Sequence, residues 1–365
     1  FICVMKLKRP GITLPYEIRS LPPKLSNILT SPISLMPFLD RYLKMLQDEF
    51  QFKLWHTTMA YPSGVAVAHF LQNTKIPHFV QSVGIDIQKV PEINYGFRLN
   101  PKVDALVHKW LPKSTKVLAI SESVSEEYRE LEIPEKKILP LPRGVDLDRF
   151  DREINKKEIR RRYGIPYDAI VFLSLGRYHA KKNFEGLLSA FALMPQPVKL
   201  RCCLVLAGSG LQELAPLAEE LNITKQVVII DPIEAGEGKG GEMGNLPSSE
   251  VIEIFKSADV FSFPSFVETF GIVLIEAMAA GLPVITSDRP GCRNVADNGK
   301  YALMVNPDDA KNISGAMAEM AQSKEKRSHY SNLSKQRASD HSWDRIVDTL
   351  EGYYRDALAE AEAVK

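Results

Sequence analysis

Cysteine is scarce. The four present, Cys3, Cys202, Cys203 and Cys292, have the spacing of neither a metal site nor a disulfide framework. Two of them are adjacent on an expected strand, where alternation turns them to opposite faces. A reducing, cytoplasmic setting is the expectation. Net charge is almost absent too: Lys+Arg 46 against Asp+Glu 45 leaves +1, with no basic stripe interleaved with aromatics. That balance argues against a nucleic-acid partner. No long apolar run spans a bilayer, because the longest, 270–285, is broken by Glu276 and ends in Gly-Leu-Pro. The chain also opens at Phe1 without a signal peptide's charged-then-apolar pattern, and it reads as starting in mid-domain.

What is present is enough for two domains of ordinary size, at 365 residues with 45% hydrophobic content. A strand is expected over 1–5. Residues 10–37, rich in Pro, Leu and Ser, read as an irregular surface segment. Basic residues at Lys6, Lys8, Arg9, Arg19 and Lys24 add the sharper reading of an acceptor-binding or membrane-touching lip over 6–39, peripheral on the cytoplasmic face. A helix over 35–50 follows. Strands over 52–55, 78–82, 116–120 and 138–141 then alternate with helices over 65–73, 101–109 and 121–131, the pattern of parallel β/α winding. The stretch 141–150, with Gly144-Val145-Asp146 and Phe150, breaks the rhythm, and the domain boundary is placed there.

The second half repeats the plan, with strands over 169–175, 199–207, 226–230, 260–263, 283–287 and 302–305. The expected architecture is α/β, with two Rossmann-like doubly wound domains, 1–150 and 151–341, facing a central cleft at their strand carboxyl ends. A last helix within 342–365, with the apolar face Trp343, Ile346, Leu350, Tyr353 and Tyr354, is expected to cross between them and pack back toward the first.

Chemistry concentrates around 263–285. The strand end turns through Pro264-Ser265 into a helix near Gly271 that is apolar apart from Glu276, and a buried carboxylate needs a reason. The N–H groups of Phe270, Gly271 and Ile272 are first-turn donors that can receive an anion, closely so at a residue without a side chain. Glu268 stands just before that helix end. The loop 176–183 follows a strand and precedes a helix, the place where open α/β sheets bind ligands. Arg177, through its fork, and Lys182, as a point charge, can clamp the two phosphates of a nucleotide diphosphate, although such residues in a loop are more often only solvated. Two other signals are weaker. Asp146-Leu147-Asp148 lies inside the boundary element, without the context of a metal site, and Gly208-Ser209-Gly210 has Glu213 where a dinucleotide fingerprint needs its third glycine.

Taken together, Glu268-x7-Glu276 with Thr269-Phe270-Gly271 between, Gly176-Arg177 with Lys182-Asn183, Gly208-Ser209-Gly210, Gly144-Val145-Asp146 with Phe150, Tyr61-Pro62-Ser63-Gly64 and Ser342-Trp343-Asp344 resemble the retaining GT-B glycosyltransferases called group 1 or family 4. The resemblance runs from His56 to Tyr354. It implies a sugar carried from a nucleotide-diphosphate donor to a hydroxyl of a glycan, lipid-linked or small-molecule acceptor, with no metal and no further cofactor. On matching positions it implies that Gly176, Arg177 and Lys182 bind the leaving diphosphate and that Glu268 and Thr269 hold the sugar with the N–H groups of 270–272. Glu276 would accept the ribose hydroxyls, and Arg177, Lys182 and Glu268 would carry the catalysis.

Gly64, Gly84 and Asp86 are the acceptor-side candidates. The departures lie in that half: Val83 stands where many relatives have histidine, and no first strand with a Gly-rich loop is found. A GT-B protein that binds a nucleotide sugar or a partner without catalysis, or that works as an epimerase or phosphorylase, is the alternative.

Overall fold

A computed structural model describes residues 2–4, 18–20, 32–233 and 247–363. Most of the expected surface lip and of the Gly-rich loop 231–247 therefore lies outside the described residues. The chain forms two compact units, Phe1–Pro142 with Val347–Lys365 and Arg143–Ile346.

In the first unit, β1 (Ile2–Val4) and β2 (Ile18–Ser20) form a parallel pair. A second sheet holds β3 (Trp55–Thr58), β4 (His78–Gln81), β5 (Lys116–Ala119) and β6 (Ile138–Pro140), parallel and in sequence order. The alternation of strands with helices Val65–Leu71, Pro101–Trp110 and Glu122–Glu130 is what the sequence pattern predicts. The strand expected over 52–55 instead begins at Trp55. Gln51 takes a left-handed backbone (φ 51°) after helix Pro32–Phe50, and Phe52 stacks on Phe50 and meets the edge of Trp55, at 5.4 and 5.1 Å between centroids. An aromatic cluster thus takes the residues that alternation alone assigned to the ladder.

The second unit is a six-stranded parallel sheet made of β7 (Ile170–Arg177), β8 (Cys202–Ser209), β9 (Val227–Ile230), β10 (Val260–Phe263), β11 (Val284–Ser287) and β12 (Leu303–Val305). Its order is β12-β11-β10-β7-β8-β9. The winding reverses at β7, which has β8 on one side and β10 on the other. In open α/β sheets the crevice outside the carboxyl ends at such a reversal is where ligands bind.

The strands read as almost continuous apolar runs because helices cover both faces. Phe172, Leu204, Leu206 and Val260 pack with Phe184, Leu187, Phe191 and Met317 in one core, each such burial contributing about 2 kcal/mol. Both adjacent cysteines are buried, one on each face.

Two expectations shift here. Gly176-Arg177 and Gly208-Ser209 prolong β7 and β8 instead of opening loops, in register with one another. The glycines permit this, since a Cβ on Gly208 would lie 1.9 Å from the Gly176 carbonyl oxygen. The change of unit comes between Pro142 and Arg143, inside the stretch 141–150 where the rhythm breaks but short of the expected domain end at 150. Val145 N–H donates to His341 O at 2.8 Å, Trp343 N–H donates to Val145 O at 3.2 Å, and Lys256 Nζ holds Phe150 O at 2.7 Å. Those bonds fasten 145–150 to the second unit. The last helix, Trp343–Ala363, supplies Tyr353, whose hydroxyl donates to Pro140 O at 2.9 Å, and Tyr354, 5.2 Å from the Phe79 ring, both contacts within the first unit.

Candidate active site

The carboxyl ends of β7 and β10 are stitched to each other by backbone and short polar side chains. Asn183, left-handed at φ 58°, begins helix Phe184–Ala192 and donates through Nδ2 to Pro264 O (3.0 Å) and Pro307 O (2.8 Å). Lys181 O accepts from Phe266 N–H at 2.8 Å and from Ser265 Oγ at 2.6 Å. Loops 177–183 and 264–268 are thereby one rigid lip.

That lip brings the predicted charges together. Lys182 Nζ pairs with Glu268 Oε1 and lies 4.8 Å from the centre of the Phe263 ring, with both ionic groups mostly shielded from solvent. Arg177, at the tip of β7, is exposed, and its guanidinium has no hydrogen-bond or ion-pair partner among the described residues. Lys181, which the sequence reading left without a role, belongs to the same patch. Its pKa is lowered by burial, with Glu268 opposing and Lys182 and Arg177 adding to the fall. Lys181 with Arg177, Lys182 and Glu268 near it makes a patch with more cations than carboxylates, which suits a ligand with more than one negative charge.

The anion-receptive helix end is also present. Gly271 adopts φ 84°, a conformation glycine takes without strain, and helix Ile272–Ala279 starts directly after it. The N–H groups of Phe270, Gly271 and Ile272 have no acceptor among the described residues. Thr269 is buried beside them, and Phe270 packs 5.6 Å from the His341 ring. The position of Glu268 is fixed by helix Pro290–Ala296, which sequence periodicity missed. A Cβ on Gly291 there would lie 2.0 Å from Glu268 O, and Pro290 at the first helical position was the available signal.

Glu276, further along helix Ile272–Ala279, keeps some surface open to solvent. Burial nonetheless raises its pKa to about 7, with Arg149 pulling the other way.

The acceptor-side candidates have a different character. Gly64 has Val80 against it, where a Cβ would come within 2.9 Å of a methyl carbon. Asp86 is fully buried and accepts the N–H groups of Ala60, Val83 and Gly84, the last two at 2.9 Å, so its carboxylate holds two turns together. Burial still raises its pKa. Gly84, at φ 130°, makes that turn possible. These residues shape the first unit's loops, and nothing in their contacts leaves a side chain free for an acceptor. His78 is likewise internal, bonded through Nε2 to Thr57 Oγ1 at 3.0 Å, with its pKa pushed down to about 3 by burial and then by His56.

Residues 169–323 match the family Glycosyl transferases group 1, and residues 9–149 match Glycosyltransferase Family 4. A D-inositol 3-phosphate glycosyltransferase of Saccharomonospora viridis is 33% identical over 226 residues, 59% of this chain and 49% of that protein. A putative teichuronic acid biosynthesis glycosyltransferase, TuaC of Bacillus subtilis, is 27% identical over 275 residues, 75% of this chain and 62% of that one. The chain spans about half the length of the inositol-phosphate relatives it matches.

Among solved structures, sucrose-phosphate synthase of Thermosynechococcus elongatus superposes with a TM-score of 0.72 at 20% identity, covering 93% of this chain and 81% of that one. Anabaena HepE in complex with UDP superposes with a TM-score of 0.73 at 17% identity, covering 93% and 86%. Both likenesses establish the fold.

Proposed function

The chain belongs to the group 1 glycosyltransferases and has the GT-B fold, and from that premise we propose that it moves a sugar from a nucleotide-diphosphate donor to a hydroxyl acceptor with retention of configuration. The observation that carries this reading is the ion pair of Lys182 with Glu268 beside Lys181, whose charge also feels Arg177, on a lip closed by Asn183 and Ser265 at the sheet's point of reversal.

In this reading Arg177 and Lys182 take the charge that develops on the diphosphate as the bond from the sugar's anomeric carbon to phosphate oxygen breaks. Lys182 exchanges Glu268 for phosphate, which frees that carboxylate to accept hydrogen bonds from the sugar hydroxyls. The unpaired N–H groups at Gly271 hold the sugar or phosphate. The acceptor oxygen forms its bond to the anomeric carbon on the face that the phosphate leaves, and the acceptor's proton passes to a phosphate oxygen. No side chain is then needed as the base, which fits an Asp86 already committed to its turns.

The HepE neighbour was crystallised with UDP and with UDP-glucose, which makes uridine diphosphate the first nucleotide to try. Inositol phosphate and teichuronic acid, named for the relatives, point to polyhydroxylated acceptors. Thermal unfolding with UDP, GDP, ADP and dTDP tests the donor part. One of them is expected to raise the melting temperature, and Arg177→Ala or Lys182→Ala to abolish the rise by removing a charged hydrogen-bond partner of phosphate. Melting unmoved by all four nucleotides would contradict the reading. Product analysis with a labelled nucleotide sugar then separates transfer from binding alone.

A further inference from the structure

Lys182 and Glu268 form an ion pair whose side chains are only 17 and 10% exposed. Their neighbours hold the pair in place. Lys182 ends the short turn Ala180–Lys182, its backbone N–H donates to His179 O at 2.8 Å, and its ammonium lies 4.8 Å from the centre of the fully buried Phe263 ring. The Glu268 carbonyl is backed by Gly291, where even a Cβ would not fit. Among the described residues, the groups bonded to the Glu268 carboxylate are Lys182 Nζ and Ser265 Oγ, both at Oε1. Ser265 is the lesser of the two. Its hydroxyl stands 3.4 Å from Oε1 but only 2.6 Å from Lys181 O, so its one proton is committed to that carbonyl.

A carboxylate shielded to this extent depends on its partner. Breaking a buried pair from one side costs more than the pair contributes, because the remaining charge keeps its desolvation penalty and loses its compensation. A phosphate that draws Lys182 away therefore acts on Glu268 twice: it leaves the carboxylate with a committed hydroxyl, and it brings a second anion beside it. Arg177, exposed at the tip of β7, meets phosphate without breaking such a contact, so the penalty arises at Lys182. Sugar hydroxyls offset it, since each can donate to the carboxylate in place of the ammonium. A nucleoside diphosphate carries no hydroxyl-bearing group beyond its terminal phosphate.

We propose that the Lys182–Glu268 ion pair sets the specificity of the site: it competes with phosphate for Lys182, so that a nucleotide sugar, which gives Glu268 new partners, is favoured over the bare nucleoside diphosphate. The inference rests on the donor-site reading above and adds a selection to it. Turnover benefits from the same competition. Once the sugar has been transferred, its hydroxyls leave Glu268, and the return of that carboxylate to Lys182 helps to expel the diphosphate. Selection of this kind is negative in character, since it works by penalising the wrong ligand as well as by holding the right one.

Titration calorimetry on the full chain tests this, with UDP, GDP and ADP and with UDP-glucose, GDP-mannose and ADP-glucose as the matching sugar conjugates. Wild type is compared with Glu268→Gln, which keeps the shape of the side chain and removes its charge, so that Lys182 reaches phosphate without leaving an anion behind. The bare diphosphate that wild type prefers is expected to bind Glu268→Gln about tenfold more tightly, while its sugar conjugate gains nothing. Glu268→Ala repeats the comparison should the glutamine variant not fold, with the same direction expected for the bare diphosphate. A bare diphosphate that binds the variants no better than wild type overturns the proposal, even where the conjugate weakens, because Glu268 would then be a sugar ligand and nothing more. An equal gain by the conjugate overturns it too, since that would be a general relief of repulsion between anions. Failure of wild type to bind any of the six ligands overturns the donor reading and this inference with it.

Discussion

Glu276 is a residue where stability and use conflict. Its pKa is raised from 4.5 to about 7, so the folded chain holds a proton there that the unfolded chain has already released. Below about pH 4.5 both states are protonated and the residue costs little. As pH rises toward 7 and beyond, the folded state must bury a charge, and stability falls. Glu276→Gln removes the charge and keeps the shape. It is expected to raise stability at pH 8 by at most about 3 kcal/mol and to leave it nearly unchanged at pH 4.5. Thermal unfolding at the two pH values checks this, and an equal change at both would show that the carboxyl is not penalised for its charge. The sequence announced this residue, since one carboxylate in an apolar helix is conspicuous.

The strand ends show how elements set the site. β7 and β8 run in register through Gly176↔Gly208 and Arg177↔Ser209, and this extension carries Arg177 out to the lip. Gly208→Ala would press a methyl group onto the Gly176 carbonyl oxygen, 1.9 Å away, at a backbone position that is itself on the glycine side of the map (φ 159°). A loss of about 2–4 kcal/mol is expected on chemical denaturation, with weakened nucleotide binding as the two ends part. Wild-type stability in this variant would mean that the pair can separate freely.

Composition and period predicted the elements well, because parallel strands buried on both faces are apolar and their helices keep a regular stripe. They failed where tertiary contacts decide. The aromatics Phe50, Phe52 and Trp55 displaced the start of β3, and Asn183 with Gly291 fixed the lip through contacts that join residues 81 positions apart or more in one case and span two elements in the other. Asp86 was read as an acceptor-side candidate and not as a turn-holder, since three backbone donors converge on it only once the chain has folded.

At the scale of the whole molecule, two runs of alternating strands and helices made two units legible, and the break over 141–150 marked the stretch where the chain passes between them but not the residue. Hydrogen bonds from Val145 to His341 and from Trp343 back to Val145 draw the second unit's limits at both ends, and no local pattern encodes a pairing between such distant segments. Those limits have a functional consequence. Every residue assigned to the donor, from Arg177 through Lys182 and Glu268 to Glu276, lies within Arg143–Ile346, and that unit has its own core. Expressed alone, residues 143–346 are expected to unfold cooperatively and to bind the same nucleoside diphosphate as the full chain. At a hundred times its dissociation constant the nucleotide contributes about 2.7 kcal/mol, a rise in melting temperature of roughly 5–10 °C for a domain of this size. Differential scanning calorimetry measures both properties. A fragment that melts cooperatively but ignores the nucleotide that shifts the full chain would show that donor binding needs groups from the first unit, whereas one without a cooperative transition would show that this core depends on the rest of the chain.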